Sequence, residues 1–474
     1  MQLKSLAQAF VLLILGVSSG TAQDIITFRK TFGDTRHDFG HFVQQTTDGG
    51  FILFGLTTDD SIYNYDLYLI KTDFKGEKQW EKKFGDQSFQ LGNCVQQTSD
   101  GGFILCGADN GFGNDSLTLI KTDAVGNPQW KNKYRMSVDR TVGRYVQQTS
   151  DGGFIITGFT GDSPSSYVYV IKTNAGGTLE WSKAYGGGKE IGTCVRQTND
   201  NGYLVLGQTS SHGYGGSDMY VIRLNDMGDT LWTKTYGTDA NETGFSLDLT
   251  SDGGFIGLGY NNNRNGDLYL VKADEFGNEL WNKSYGGDSQ DDGYSVEQTT
   301  DGGYFLAGRK SNGSNQPVDM YVVKTDPEGE VIWDAVYPQG LISEANSAQQ
   351  TSDGGYIMLG STTSIIDQTS TSDMYLVKID SSGNTSGIIV PPQNVSITIC
   401  PNPFFETAYI KFDQPLGVLY TLLLYDALGK QIREESGELY QEIEINRDDL
   451  SAGMYFFKIL SGGKVIGKGK IIAL

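Results

Sequence analysis

The sequence is poor in the side chains that most often carry catalysis. It contains only 3 histidines and 4 cysteines, and no two cysteines form a CxxC pair. Thiols this sparse cannot build a disulfide scaffold. Cys94 and Cys106 flank one predicted hairpin turn, where a disulfide and two separate buried thiols remain alternatives. No HExxH motif and no phosphate-binding glycine loop occurs, and no cofactor is predicted.

The three histidines do not form a recognisable catalytic set. His37 and His41 lie near Asp34 and Asp38, a group that could act in acid–base chemistry or bind a metal, but His212 is far along the chain. The group lacks further partners, so no catalytic residue is predicted. A carboxylate pair acting on polysaccharide stays open, because acidic residues are plentiful.

Basic residues are also in deficit. The chain has 36 Lys and Arg against 57 Asp and Glu, which gives a formal net charge of −21. Proteins that bind nucleic acid need basic patches that displace counterions from the phosphates. We therefore expect no nucleic-acid partner.

Long apolar runs are missing after the first 22 residues. Within these residues, Lys4, the run FVLLILGV and the small residues before Gln23 have the order of a secretory signal peptide. We predict a signal peptide over residues 1–22, cleaved after Ala22. No later segment has about 18 consecutive apolar residues, so no transmembrane segment is expected in the mature chain.

The sequence is rich in glycine, with 63 residues, and in one repeated turn. A turn of the type SDGG recurs at intervals of about fifty residues, with its aspartate at Asp48, Asp100, Asp151, Asp200, Asp252, Asp301 and Asp353. Each repeat holds four short segments, named A to D here, that are rich in β-branched and aromatic residues and separated by tight-turn residues. This pattern predicts an all-β fold, a seven-bladed β-propeller over residues 23–383. A β-solenoid is the alternative, although its coils are usually shorter.

Tryptophan marks strand D in six repeats, each followed four residues later by Tyr or Phe: Trp80, Trp130, Trp181, Trp232, Trp281 and Trp333. The seventh repeat lacks this strand, whereas FRKTFG near the N terminus has Phe28 and Phe32 at the same spacing. We predict that the segment around Phe28 pairs with the segment around Tyr375 and closes the ring. The aspartate-glycine turn followed by tryptophan resembles the repeat of quinoprotein-like propellers. The resemblance implies blade geometry only, without a quinone cofactor.

Alternate turns of the blades share one face of the ring. The A–B and C–D turns are nearly identical from repeat to repeat, but the B–C loops vary, as in TTDDSIYNYD and SSHGYGGSD. Variable loops on a rigid frame usually carry binding surfaces. We expect a ligand site on this variable face, although its residues are not identified.

Three other repeated sets are expected to be structural. The turn aspartates suit Asx turns. The strand A glutamines suit bonds to the neighbouring blade: Gln45, Gln97, Gln148, Gln197, Gln298 and Gln350. The strand C cations suit pairing with turn carboxylates: Lys71, Lys121, Lys172, Arg223, Lys272, Lys324 and Lys378.

An acidic residue precedes strand A in five of seven repeats: Asp38, Glu190, Glu242, Asp291 and Glu344. A propeller would place these carboxylates near the mouth of the central channel, where a ring of oxygen ligands could hold calcium. The alternative is that each carboxylate caps a local turn by accepting backbone N–H bonds.

The repeat ends at Asp380, and Gly, Ser and Pro then form a predicted linker over residues 384–396. Residues 397–474 resume as short alternating strands, which predicts a small immunoglobulin-like β-sandwich. Its landmarks resemble the C-terminal sorting domain of the type IX secretion system of Bacteroidota. The matching residues are Pro401, Asn402, Pro403, Tyr425, Asp426, Gly429, Lys430, Gly453, Tyr455, Lys468 and Lys470.

The resemblance implies recognition by the outer-membrane type IX machinery and export to the cell surface or beyond. An ordinary accessory module is the alternative. We interpret the protein as an exported, non-catalytic binding or adhesion protein whose partner is a glycan or a surface protein. A polysaccharide-active enzyme (a glycosidase or a lyase) and an inert structural surface protein are the alternatives.

Overall fold

The structure is a computed structural model that describes the following ranges. They are residues 26–33, 37–58, 65–85, 89–110, 115–135, 140–161, 165–262, 266–313, 316–366, 369–385, 397–412, 418–439, 442–448, 450–461 and 464–474. The predicted signal peptide with Ala22, Asp34, most of the predicted linker and parts of six of the seven variable B–C loops lie outside the described residues.

The propeller strands follow the repeat. A short first strand, β1 (Phe28–Phe32), precedes the blades. The first three blades are β2 (Asp38–Gln45), β3 (Phe51–Thr58), β4 (Tyr65–Thr72) and β5 (Lys78–Phe84); β6 (Phe89–Gln97), β7 (Phe103–Asn110), β8 (Ser116–Thr122) and β9 (Pro128–Tyr134); and β10 (Thr141–Gln148), β11 (Phe154–Thr160), β12 (Tyr167–Thr173) and β13 (Leu179–Tyr185).

The next three blades have the same order. They are β14 (Glu190–Gln197), β15 (Tyr203–Thr209), β16 (Asp218–Leu224) and β17 (Thr230–Tyr236); β18 (Glu242–Leu249), β19 (Phe255–Asn261), β20 (Asp267–Ala273) and β21 (Glu279–Tyr285); and β22 (Asp291–Gln298), β23 (Tyr304–Ser311), β24 (Val318–Thr325) and β25 (Val331–Tyr337). The seventh has β26 (Ile342–Ser343), β27 (Ser347–Gln350), β28 (Tyr356–Ile366) and β29 (Thr369–Ile379).

The N-terminal strand completes the seventh blade, as predicted. β1 pairs antiparallel with β29, with Phe28 opposite Lys378 and Thr31 opposite Tyr375. The seven-bladed propeller closed by its N-terminal strand is therefore confirmed. Only the start of the seventh blade departs from the pattern, because its first strand is divided into β26 and β27 and β26 also pairs with β24 of the sixth blade.

The hydrophobic core lies between the blades. The second and third strands of a blade are packed on both faces, so β3, β8, β11 and β16 are buried along their whole length. The outer strand alternates instead: β5 is exposed at every second residue. The tryptophans pack across blade boundaries, for example Trp80 against Phe103 of the next blade, with ring centroids 5.9 Å apart. Their role in the described structure is inter-blade packing.

The repeated turn is fixed by an ion pair in every blade. In the second blade, Asp100 Oδ1 accepts from Thr98 Oγ1 at 2.6 Å and from Gly102 N at 3.0 Å, which is an Asx turn. The ammonium of Lys121 lies 2.8 Å from Asp100 Oδ2. All seven strand C cations pair with the turn aspartate of their own blade. This arrangement confirms the structural interpretation of both sets.

Cys94 and Cys106 are cross-strand neighbours and are free thiols. Cys94 Sγ contacts Val146 O of the next blade at 3.7 Å. Burial raises the pKa of the Cys94 thiol to about 12. Both side chains act as small buried apolar groups here.

The C-terminal unit is a two-sheet β-sandwich. Its strands are β30 (Ile397–Cys400), β31 (Thr407–Phe412), β32 (Val418–Tyr425), β33 (Gln431–Leu439), β34 (Glu442–Asn446), β35 (Gly453–Ser461) and β36 (Lys464–Ala473). One sheet has the order β30-β31-β34 and the other β33-β32-β35-β36. Phe404, Phe457 and Ile459 lie in the core between them. Within the described ranges, no helix is long and apolar enough to cross a membrane.

Candidate binding channel

A cavity of about 740 Å³ lies among the innermost strands of the propeller. Residues from all seven blades line it, so it is the central channel of the ring. Two rings of side chains account for half of the lining residues, and they differ in how they are bonded.

The first ring, called the bulge ring here, follows a glycine in strand A. In six blades the pairing with strand B shifts by one residue just after this glycine, for example between Gly143 and Tyr145. A β-bulge re-aims the extra side chain out of the regular alternation. The bulge residues and their equivalent in the seventh blade all line the cavity: His41, Asn93, Arg144, Thr193, Phe245, Tyr294 and Asn346.

Four members of the bulge ring hydrogen-bond a backbone carbonyl of the next blade. Asn93 Nδ2 donates to Gly143 O of the next blade at 2.6 Å, and Thr193 Oγ1 donates to Gly244 O at 2.8 Å. Asn346 Nδ2 donates to Gly40 O at 2.9 Å, and His41 Nδ1 hydrogen-bonds the corresponding Gly92 O. These side chains are structural.

The other three members, Arg144, Phe245 and Tyr294, do not make this inter-blade bond. Phe245 packs edge-on against Tyr294, with centroids 5.3 Å apart, and stacks on Tyr260 at 5.9 Å. Arg144 is exposed to the channel, and no ion pair of its guanidinium occurs among the described residues. One side of the channel is therefore aromatic, and another carries a cation.

The second ring, called the belt here, lies three residues further along strand A. Its side-chain oxygens accept from a backbone N–H of the next blade, as when Gln96 Oε1 accepts from Gln148 N at 2.7 Å. The belt residues are Gln44, Gln96, Gln147, Arg196, Asp248, Glu297 and Gln349. Six of the seven blade boundaries have this bond.

Arg196 interrupts the belt, because a guanidinium cannot accept a hydrogen bond. Its Nε lies 3.5 Å from Asp248 Oδ1 of the next blade, and its Cζ lies 4.7 Å from the centre of the Tyr145 ring. The ion pair thus replaces the missing bond at that boundary.

The negative charge of each channel carboxylate is offset, either by a nearby arginine or by a raised pKa. Asp248 has Arg196, and Glu344 Oε2 lies 3.8 Å from Arg309 Nη1. Burial, with a smaller contribution from Asp248, raises the pKa of Glu297 to about 7. Burial also lowers the pKa of His41, so this imidazole is neutral at neutral pH. Arg144 therefore stands out as a channel cation without a counter-ion in the described part of the chain.

The structure does not assemble the five predicted metal-binding carboxylates into one ring. Only Glu344 lines the channel, whereas Asp38, Glu190, Glu242 and Asp291 are buried at the start of their strands. Glu190 Oε2 accepts from Gly188 N at 2.8 Å and from Lys189 N at 2.9 Å, which is the turn-capping alternative. No group of three or more His, Cys, Asp or Glu among the described residues is arranged to hold a metal. Calcium binding stays a prediction.

The other predicted site residues have local roles. His212 Nδ1 lies 3.7 Å from Glu190 Oε1, and the His37 ring stacks on Phe39. The repeated glutamines bond the neighbouring blade, as expected: Gln97 Oε1, for example, accepts from Thr47 N at 2.9 Å. The bulge ring was missed in the sequence analysis. Its signal was a single variable position between a near-constant glycine and the VQQ motif.

The motif residues of the C-terminal unit make local bonds at its last strand and at two of its turns. Asn402 Oδ1 accepts from Ile472 N at 2.9 Å, and Asn402 Nδ2 donates to Lys470 O at 3.0 Å. Asp426 Oδ1 accepts from Lys430 N at 2.9 Å and closes an Asx turn whose Gly429 has a φ of 83°. Tyr455 donates to Ser451 O at 2.7 Å. These residues stabilise the sandwich.

Residues 398–473 match the family model of the secretion system C-terminal sorting domain. The chain is therefore a cargo protein that is secreted to the cell surface or the extracellular space, and its sorting domain is the part that the secretion machinery recognises. A comparison with curated proteins finds no match to the sequence.

Solved structures of similar shape have low sequence identity to this chain. Sqt1 from Chaetomium thermophilum is 11% identical with a TM-score of 0.42, covering 71% of this chain and 81% of that chain. Puromycin hydrolase is 14% identical with a TM-score of 0.46, covering 80% of this chain and 59% of that chain. A protein of unknown function from Dyadobacter fermentans is 10% identical with a TM-score of 0.43, covering 75% and 98%.

Proposed function

We propose that this secreted protein is a binding protein whose ligand enters the central channel of the propeller. The ligand class that suits the channel is a carbohydrate carrying a carboxylate or sulfate group, as in an acidic surface polysaccharide. The observation that carries the proposal is the division of the bulge ring. Four of its side chains bond the next blade, whereas Arg144, Phe245 and Tyr294 face the channel without that task.

The chemistry of these three side chains supports the ligand class. Aromatic rings present apolar faces on which the C–H face of a sugar ring can pack, and Tyr260 adds a hydroxyl group, whereas the Tyr294 hydroxyl donates to Asp292 Oδ2 at 3.1 Å. A guanidinium binds carboxylate or sulfate oxygens with two parallel N–H bonds. Because Arg144 has no counter-ion among the described residues, an anionic ligand would not have to displace one.

Binding of a panel of neutral, uronate-containing and sulfated polysaccharides to the mature full-length protein tests the proposal. Arg144→Met is expected to weaken binding of the anionic ligands by about tenfold or more, because a charge-assisted hydrogen bond contributes about 1.5–3 kcal/mol. The uronate and sulfate arms of the panel distinguish the two anions. Phe245→Ala is expected to weaken binding of neutral and anionic ligands alike.

Lys183→Met is the matched control. Lys183 lies on the outer strand of the third blade, outside the channel, and pairs with Asp229 of the fourth blade. The control removes the same charge and is expected to leave binding unchanged. Equal losses in Lys183→Met and Arg144→Met would indicate nonspecific attraction and would overturn the proposal. Binding that is insensitive to both channel variants would move the site to the variable loops, and the absence of any binding would favour a structural surface protein.

One observation favours the enzymatic alternative. Glu297 faces the channel with a pKa of about 7, so a large share of its carboxyl groups are protonated at neutral pH. A protonated carboxyl near a second carboxylate is the pairing that glycosidases use, and Asp248 is the nearby candidate. Release of reducing ends from bound polysaccharide by the wild type, and its loss in Glu297→Gln, would support hydrolysis over binding alone.

A further inference from the structure

Two acidic side chains meet in the interior between the fifth and sixth blades. Asp267 begins β20 and Asp291 begins β22, and the carboxylates of both lie next to Gly286, the residue after β21. A Cβ placed on Gly286 would lie 2.1 Å from Asp267 Oδ1 and 2.8 Å from Asp291 Oδ2. The two carboxylates therefore face each other, and the absence of a side chain on Gly286 leaves the space that they share.

No described side chain donates to the facing oxygens, and the backbone N–H of Gly287 approaches Asp291 without reaching hydrogen-bond geometry. Asp291 is 0% exposed, and its Oδ1 accepts from Ser311 N at 2.8 Å. Asp291 Oδ2 and Asp267 Oδ1 are both buried without a partner. Burying an ionised carboxylate without compensation costs several kcal/mol, and two facing charges repel each other as well. Burial raises the pKa of both carboxyls, so either a proton or another positive charge has to offset the pair.

Lys310 is the nearest candidate for that charge, since it lies opposite Asp291 in the sheet. Its ammonium is directed to the face of Tyr321, 4.5 Å from the ring centre. It forms no ion pair with either aspartate among the described residues. Lys310 lowers the electrostatic cost at a distance without bonding the free oxygens.

The preceding blade boundary shows the same geometry with the donors present. There, a Cβ on Gly237 would lie 2.4 Å from Asp218 Oδ1 and 2.5 Å from Glu242 Oε2. Thr238 satisfies Glu242 through its N–H at 3.1 Å and its hydroxyl at 2.7 Å. Gly287 occupies the place of Thr238 at the next boundary and has no hydroxyl. Glu242 is therefore satisfied by protein donors, whereas Asp291 Oδ2 and Asp267 Oδ1 have no such bond.

We propose that Asp267 and Asp291 bind a divalent cation, with calcium as the best match, and that this cation ties the fifth blade to the sixth. Calcium takes about six to eight oxygen ligands in flexible geometry, so backbone carbonyls and water would have to complete the shell that the two carboxylates begin. Affinities of extracellular calcium modules lie at about 10⁻⁴–10⁻³ M, which suits a secreted protein. The site is independent of the channel and of its ligand.

The experiment measures thermal unfolding of the mature full-length protein after chelation. Calcium is then added to about ten times 10⁻³ M, the Kd of the weakest extracellular calcium modules. The wild-type Tm is expected to rise by about 2 °C or more. Asp291→Asn and Asp267→Asn are each expected to abolish the rise. Glu242→Gln, in the pair that already has donors, is the matched control and should keep it.

The stability of the variants after chelation distinguishes a cation-binding role of the two aspartates from a purely structural role. If the pair awaits a cation, Asp291→Asn should be as stable as the chelated wild type or more stable, because it removes an uncompensated charge. Equilibrium dialysis with radioactive calcium should show one ion fewer per chain in this variant. A wild-type Tm unaffected by calcium would overturn the proposal, as would an equal calcium response in Asp291→Asn or a loss of stability in that variant under chelation.

Discussion

The ring of Phe28 lies directly over Gly76 of the first blade, where a Cβ on the glycine would be 2.7 Å from Phe28 Cε2. The same relationship joins Trp80 to Gly126 and recurs around the propeller. Gly126 has a φ of 79°, which only glycine adopts without strain, and its missing side chain leaves room for the indole. Phe28 therefore takes the part of the tryptophan at the boundary where the two ends of the propeller meet.

Phe28→Ala should weaken this closure. Phe28 is buried and packs edge-on against Phe51, with centroids 6.1 Å apart. Truncating a buried phenylalanine costs about 3–5 kcal/mol, so the urea midpoint of the full-length protein should fall substantially. Phe28→Trp restores the residue of the other six boundaries and should stay close to the wild type. An unchanged midpoint in Phe28→Ala would show that β1 does not hold the ring closed.

Glu297→Gln should stabilise the protein at alkaline pH. Burial raises the pKa of Glu297 to about 7, above the value of 4.5 for an unperturbed glutamate. The folded state therefore holds this proton more tightly, and stability is lost as the pH rises from about 4.5 through about 7. Glutamine keeps an oxygen that can accept from Gln350 N and carries no charge. We expect a gain of about 1–3 kcal/mol in the free energy of unfolding at about pH 8 and little gain at about pH 4.

Urea denaturation of both proteins at these two pH values measures the difference. A gain in Glu297→Gln that is equal at both pH values would contradict the assigned pKa.

Acid should destabilise the repeated turns at a pH well below the usual range for aspartate. Partial burial raises the pKa of Asp100, but the bonds from Lys121, Thr98 and Gly102 outweigh it and lower the pKa to about 2. An aspartate whose pKa in the folded state lies below its ordinary value of 3.8 stabilises the folded protein at pH values above 3.8. This stability is lost as the pH falls through about 2. The urea midpoint should therefore fall between about pH 4 and about pH 2.

Asp100→Asn should be less stable than the wild type at about pH 5, and the difference should shrink toward about pH 2. Because half of the Asp100 side chain is exposed, the contribution of one turn is modest after solvent screening. A difference that stays constant over this range would assign the effect to the lost turn geometry and not to the charge.

Asn402→Ala should impair secretion of the chain. The side chain of Asn402 bonds the backbone of the last strand at Lys470 and Ile472, so its loss leaves these two backbone groups without that partner. Each lost hydrogen bond costs about 1 kcal/mol. The ratio of extracellular to periplasmic protein in the native host measures the effect. Thr407→Val removes an exposed side-chain bond to Asn446 and is the matched control; equal secretion of both variants would contradict a role for Asn402.

The sequence by itself determined the number of blades, the closing strand and the secretion domain. These follow from local chemistry that repeats at a fixed interval: an Asp-Gly turn specifies a hairpin, and a tryptophan at constant spacing marks each outer strand. Phe28 could be assigned because one repeat lacked its tryptophan. The pairing of Lys121 with Asp100 was also predictable, since both belong to one repeat.

The tertiary structure alone decided which side chains share a site. A bulge of one residue turns Arg144 and Tyr294 into the channel, and regular alternation along a strand would not place them there. Asp267 and Asp291 meet only because neighbouring blades stack, and their spacing in the sequence equals that of Asp218 and Glu242, whose glutamate has protein donors. The repeat pattern predicts the contacts that recur at every blade boundary, such as the glutamine bonds, but contacts particular to one boundary depend on how those two sheets pack.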